Sequence, residues 1–135
     1  MDEGLRLLLP RDKHDKRSAA ALVALGWNKV EQAIPEILEW LQDINWPVVP
    51  ILVPFFVDAG VRLAPFIRPI FAADDAIWTL NILQVVVSQS PELASELSGE
   101  LERLAYSPTA AEQLEGASDL ARQILGTASV PGSEP

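Results

Sequence analysis

Cysteine is absent from this 135-residue chain, and histidine occurs once, at His14. Disulfides, thiolate nucleophiles and thiolate-bound zinc are therefore excluded, and the lack of cysteine fits a reducing, cytoplasmic setting. Basic residues are few: ten Lys and Arg stand against nineteen Asp and Glu, a formal charge of -9. Phosphate backbones and anionic membrane surfaces are held by clustered Lys and Arg. Neither nucleic acid nor a membrane is the expected partner, whereas a basic protein is compatible; the acidic surface also serves solubility. The longest uncharged apolar run, Ile44 to Val57, contains Pro47, Pro50 and Pro54 and falls short of the about 20 residues of a membrane span. The opening Met-Asp-Glu-Gly-Leu-Arg does not read as a secretory signal, since it is acidic and Pro10 stops the run Leu7-Leu8-Leu9. No nucleophile elbow, phosphate-binding loop, dinucleotide fingerprint or zinc motif occurs, and Ser88 and Ser90 have no histidine near them in sequence. Triads assemble in space, but nothing in the order of residues supports an enzyme.

What is present is a helical pattern. Apolar residues make up 49% of the chain, enough for one domain with a real core. The organising stretch is Pro35 to Pro47. Ile37, Leu38 and Leu41 share one helical face, Glu36, Glu39 and Gln42 lie off it, and Trp40 sits at the boundary. Asp43-Ile44-Asn45 forms a polar corner. Trp46-Pro47 starts the next helix, with proline where its missing N–H costs least. That helix, closed by Asp58-Ala59-Gly60, is apolar nearly all round and so packs on several sides. Its prolines argue against a strand and predict a kink or 3₁₀ turn near Pro54.

Before this stretch comes an arm over residues 1–13, then a charged turn from Arg11 to Asp15. A helix capped by Asp15 runs to Leu25 and is closed by Gly26, and Asn28-Lys29-Val30-Glu31 reads as a capping box. After it, one helix carries Pro65 near its start and Leu63, Phe66, Ile67, Ile70 and Phe71 inward. Another spans Ala76 to Val87, capped by Asp74 or Asp75. Ser90-Pro91 starts a helix with Leu93, Leu97, Leu101 and Leu104 on one stripe and Glu92, Glu96 and Glu100 on a solvated face. A last helix, from the Thr109–Glu112 capping box to Leu125, places Leu114 inward and is weakened at Gly116 by about 1 kcal/mol; Gly126 ends it. The expected organisation is a single domain over 1–126 and a disordered tail over 127–135.

A period of 32 residues relates Leu38, Leu41, Asp43 and Trp46 to Ile70, Ala73, Asp75 and Trp78, with a decayed third copy at Glu102, Ala105, Ser107 and Ala110. Stacked helix pairs bury faces that one pair cannot. The fold class expected is all-α, a short HEAT-like α-solenoid of six or seven helices. Leu8 to Asp15, Leu38 to Val48 and Asp74 to Trp78 resemble the bacterial DUF5071 family, over about residues 7–125. The resemblance implies a HEAT-like helical protein and carries over no activity and no catalytic residue.

Three sets of side chains are candidates for a site. Asp12, His14 and Asp15 offer donors for a metal or a general base, yet one His with two carboxylates fits no standard ligand spacing. A charged turn that caps a helix explains them as well. Asp43, Asn45, Asp74 and Asp75 stand at equivalent corners of two repeats, offering an edge to a cation or to a partner's N–H groups; capping explains them too. Trp40, Trp46 and Trp78 are of the residue type enriched in binding hot spots. Trp46 and Trp78 are expected between layers, Trp27 as a staple, and Trp40 exposed. No cofactor and no metal is implied. The leading expectation is a non-catalytic protein-interaction module, an adaptor or immunity-type protein binding a basic protein partner through its helical-repeat surface. The alternative is a metal- or small-ligand-binding protein or enzyme using Asp12, His14, Asp15 and the Asp43/Asp75 edge. A HEAT-like DNA glycosylase would need a basic groove, which the charge balance opposes.

Overall fold

The computed structural model describes residues 2–133, with side chains to Thr127. Among them helix is the only regular structure; it takes up 80% of the chain, and no strand forms. Counting helices that continue through a 3₁₀ turn as one, the described residues hold nine helical runs rather than six or seven, because several predicted helices are interrupted. The described residues divide after Ala59 into two compact units.

The first unit contains α1 (Glu3–Leu8), α2 (Lys16–Leu25), α3 (Trp27–Val30), α4 (Ile34–Leu38) and α5 (Val49–Ala59), with 3₁₀ turns at Glu31–Ala33 and Glu39–Gln42. The N-terminal arm is thus partly helical: the Asp2 carboxylate accepts from the Gly4 amide at 2.9 Å, Leu5 is buried, and Leu7 faces solvent. Asp15 caps α2 as predicted, accepting from the Ser18 amide at 3.3 Å, and α2 packs against α5. Gly26, at φ 85°, both closes α2 and opens α3. Helix therefore resumes before Asn28, so the capping box expected at Asn28–Glu31 does not form. Val30, Ile34, Ile37, Leu38, Leu41, Leu52 and Phe56 are fully buried. Trp27 stacks on Phe55 with ring centroids 6.4 Å apart. α5 begins at Val49, three residues later than Trp46, and continues through Pro54 as α-helix, so of the expected kink or 3₁₀ turn the 3₁₀ turn does not form there.

The second unit opens with a 3₁₀ turn, Gly60–Leu63, where Gly60 takes φ 59°. It continues as α6 (Ala64–Ala72), α7 (Ala76–Val85), a 3₁₀ turn at Val87–Gln89, α8 (Pro91–Glu96), α9 (Ser98–Tyr106), α10 (Ala110–Glu115) and α11 (Ala117–Ser133). α11 packs on α9, α7 and α8. Leu93, Leu97, Leu101 and Leu104 are all fully buried, as their spacing predicts, although the helix is broken at Leu97. The acidic stripe is not simply solvated. Arg68 on α6 reaches Glu96 at 3.0 Å and Glu100 at 3.1 Å.

The Thr109–Glu112 capping box is formed in both directions. Glu112 also takes a forked pair of hydrogen bonds from Arg103, at 3.1 and 2.9 Å. Gly116 does more than weaken a helix: at φ 95° it ends α10 in a left-handed cap. The register shift leaves Leu114 84% exposed rather than inward. Gly126 lies within α11, not at its end. The expected tail is accordingly helical in its described backbone as far as Ser133, and residues 134 and 135 lie outside the described residues. The run Val49–Ala72 is long and apolar enough to cross a membrane by length and composition, a test that core helices of soluble proteins also pass; Asp58, Arg62 and Arg68 interrupt it.

Candidate functional site

The first unit carries a small concave site around the two tryptophans of the organising stretch. Pro35 sits in the first turn of α4, where its fixed φ favours helix. Ile34, Ile37, Leu38 and Leu41 turn completely inward. Glu36, Glu39 and Trp40, spaced i, i+3 and i+4, are thereby left together on the opposite side. The helix tightens into 3₁₀ form at Glu39–Gln42.

The corner that follows brings Trp46 back onto Trp40. The Asp43 carboxylate accepts from the Asn45 amide at 2.9 Å, and the Asp43 carbonyl accepts from the Trp46 amide at 3.3 Å. The Val48 amide then donates to the Lys13 carbonyl at 3.1 Å, which ties this corner to the charged turn. Trp40 and Trp46 meet edge to face, with centroids 5.5 Å apart and planes at 75°. Both are half-buried. With Leu9, Pro10, Glu36, Glu39 and Gln42 they line a pocket of about 330 Å³. Glu36 and Glu39 are exposed, and among the described residues neither carboxylate has an ion pair. The site therefore presents two aromatic rings and two negative charges without an internal cation. It can attract a cation through the ring quadrupole and the carboxylates.

Asp12 and Asp15 shape their own turn. Asp12 accepts from the His14 amide at 2.8 Å, and Asp15 accepts from the Arg11 amide at 3.0 Å as well as from Ser18. The Arg11 hydrogen bond, followed by that from Ser18, holds the Asp15 carboxyl below its ordinary value. The His14 side chain is exposed. Among the described residues no three His, Cys, Asp or Glu side chains gather as a metal-binding group. Asp43 and Asn45 make the corner just described. Asp75 caps α7 by accepting from the Trp78 amide at 3.0 Å, and Asp74 is exposed beside it. The 32-residue offset that relates Asp43 to Asp75 does not carry over to their bonding, because one closes a turn and the other opens a helix.

Trp40 is half-buried against Trp46, not freely exposed. Glu36 and Glu39, which the sequence places only off the apolar face, line the pocket, and Trp46, expected between layers although of the hot-spot type, lines it too. The signal for them was the Glu-x-x-Glu-Trp spacing immediately before a corner that returns a second tryptophan.

The model of a domain of unknown function, DUF5071, matches residues 8–125, a span that includes the whole pocket. No curated protein matches the chain. The chain belongs to the DUF5071 family.

Proposed function

We propose that this protein is a non-catalytic, cytoplasmic interaction module that binds a basic segment of a protein partner, an adaptor or immunity-type protein being the concrete form. The observation that carries this reading is the Trp40–Trp46 pocket bordered by Glu36 and Glu39, whose charges are unmatched among the described residues. Tryptophan is the residue type most enriched in binding hot spots, and complementary charge speeds and selects association. The excess of nineteen acidic over ten basic residues extends the same preference over the chain. A HEAT-like stacking of helix pairs is the architecture that suits this role. It is supported by side-chain links 32 residues apart, from Arg68 to Glu100 and from Arg103 to the Phe71 carbonyl, the same offset as the sequence period.

The test is co-purification with three baits: the natural chain, Glu36→Lys/Glu39→Lys, and a control with two exposed acids reversed elsewhere, Glu102→Lys/Glu115→Lys. A basic protein retained by the natural and control chains, released by salt and lost from the pocket variant, supports the reading. A partner held equally by all three baits, or no partner at all, overturns it.

A further inference from the structure

We infer that the side chain seated in the Trp40–Trp46 pocket is an arginine of the basic partner. This rests on the reading above and specifies its chemistry. A cation is called for because Glu36 and Glu39 lie three residues apart on the same side as Trp40 and meet no basic group among the described residues.

Two features select guanidinium over ammonium. Half-buried indoles offer flat faces, and guanidinium is a planar, weakly hydrated ion that stacks on such faces, whereas ammonium is a compact and strongly hydrated charge. Two carboxylates one helical turn apart suit a fork of N–H donors that projects from the edge of the stacked plane, so stacking and pairing occur together. The third wall, Leu9 and Pro10, is apolar and matches the methylene stem that carries the charge. The volume of about 330 Å³ admits the whole side chain and not only its tip.

Binding is measured on the full chain by titrating N-acetyl-arginine amide, N-acetyl-lysine amide and N-acetyl-citrulline amide while following the four indole N–H signals by NMR. Arginine amide should move the Trp40 and Trp46 signals and leave Trp27 and Trp78 in place. Lysine amide should bind about tenfold more weakly, citrulline amide should not bind, and Glu36→Gln/Glu39→Gln should abolish the arginine response without unfolding the chain, since both residues are exposed. Equal responses to arginine and lysine, or movement of all four indoles alike, overturns the assignment. If the co-purified partner is lost from Glu36→Lys/Glu39→Lys while arginine shows no preference, the pocket remains the partner's site and only the choice of arginine falls. If neither effect is seen, both fall.

Discussion

Replacing Glu112 by glutamine should destabilise the second unit by a predictable amount and with a predictable pH dependence. The carboxylate is 6% exposed and its partner Arg103 is 40% exposed. Glutamine keeps an oxygen for the Thr109 amide, which the natural carboxylate holds at 2.8 Å, so the capping box survives. What is lost is the charge in the forked contact with Arg103. A charge-assisted hydrogen bond is worth roughly twice a neutral one, and water repays part of the loss at the half-exposed guanidinium, so the cost should be about 1–2 kcal/mol. Arg103→Met should cost more, about 2–3 kcal/mol, because it strands a buried anion instead of an exposed cation. It also removes the bond to the Phe71 carbonyl. Arg103, then burial, then Thr109 act on Glu112, and the net effect lowers its carboxyl below the ordinary 4.5. A group whose folded pKa is depressed stabilises the fold fully above its unfolded value and loses that contribution as pH falls through the folded one. The gap between the natural chain and Glu112→Gln should accordingly be constant at neutral pH and close in acid below pH 4.5. Urea unfolding followed by far-UV circular dichroism from pH 7 downward measures this. A gap that ignores pH, or an Arg103→Met variant as stable as Glu112→Gln, would refute the reasoning.

Two further outcomes follow from backbone and buried-hydroxyl geometry. Gly116→Ala should destabilise by about 1–2 kcal/mol, because it forces a side chain into left-handed conformation, while Gly126→Ala, in the middle of α11, should stabilise by about 0.5–1 kcal/mol. Neither added methyl meets an atom within 4 Å, so paired thermal melts isolate the backbone term, and equal effects at the two sites would contradict it. Thr79→Val should raise stability: the Thr79 hydroxyl is buried with no hydrogen-bond partner among the described residues, and removing such a group relieves about 1 kcal/mol or more. A lower melting temperature for Thr79→Val would mean that the hydroxyl is satisfied after all.

Legibility in the sequence tracked how local the physics was. Asp15, Ser90, the Thr109–Glu112 box and, of the two candidates Asp74 and Asp75, Asp75 cap helix starts, because the donor and acceptor lie within three residues of each other; the equally local Asn28–Glu31 box fails because Gly26 already opens α3. The leucine stripe from Leu93 to Leu104 was equally readable, since burial follows period. Breaks inside helices were not. Leu97 and the 3₁₀ turn at Glu39–Gln42 carry no side-chain signature of their own, whereas the end of α5 at Ala59 was marked by Gly60. At Gly116 the sequence does not reveal the left-handed conformation, which separates the helix bearing Leu114 from α11. The pocket was half readable. Glu36, Glu39 and Trp40 share a side by simple spacing, but their meeting with Trp46 depends on the angle of the Asp43 corner, and Leu9 and Pro10 arrive from a distant part of the chain.

The turn from Arg11 to Asp15 does not line the pocket, yet it acts as its gatepost. Its Asp15 carboxylate holds the Arg11 amide, one residue beyond the Pro10 wall, and its Lys13 carbonyl holds Val48, two residues beyond Trp46. Because the Asp15 carboxyl is lowered, this latch stays fastened through neutral and mildly acidic conditions and slackens only as the acid is protonated. The placement of Trp46 is thus tunable from a remote aspartate: Asp15→Asn would broaden or displace the Trp46 indole signal while leaving every ring and carboxylate of the pocket in the chain.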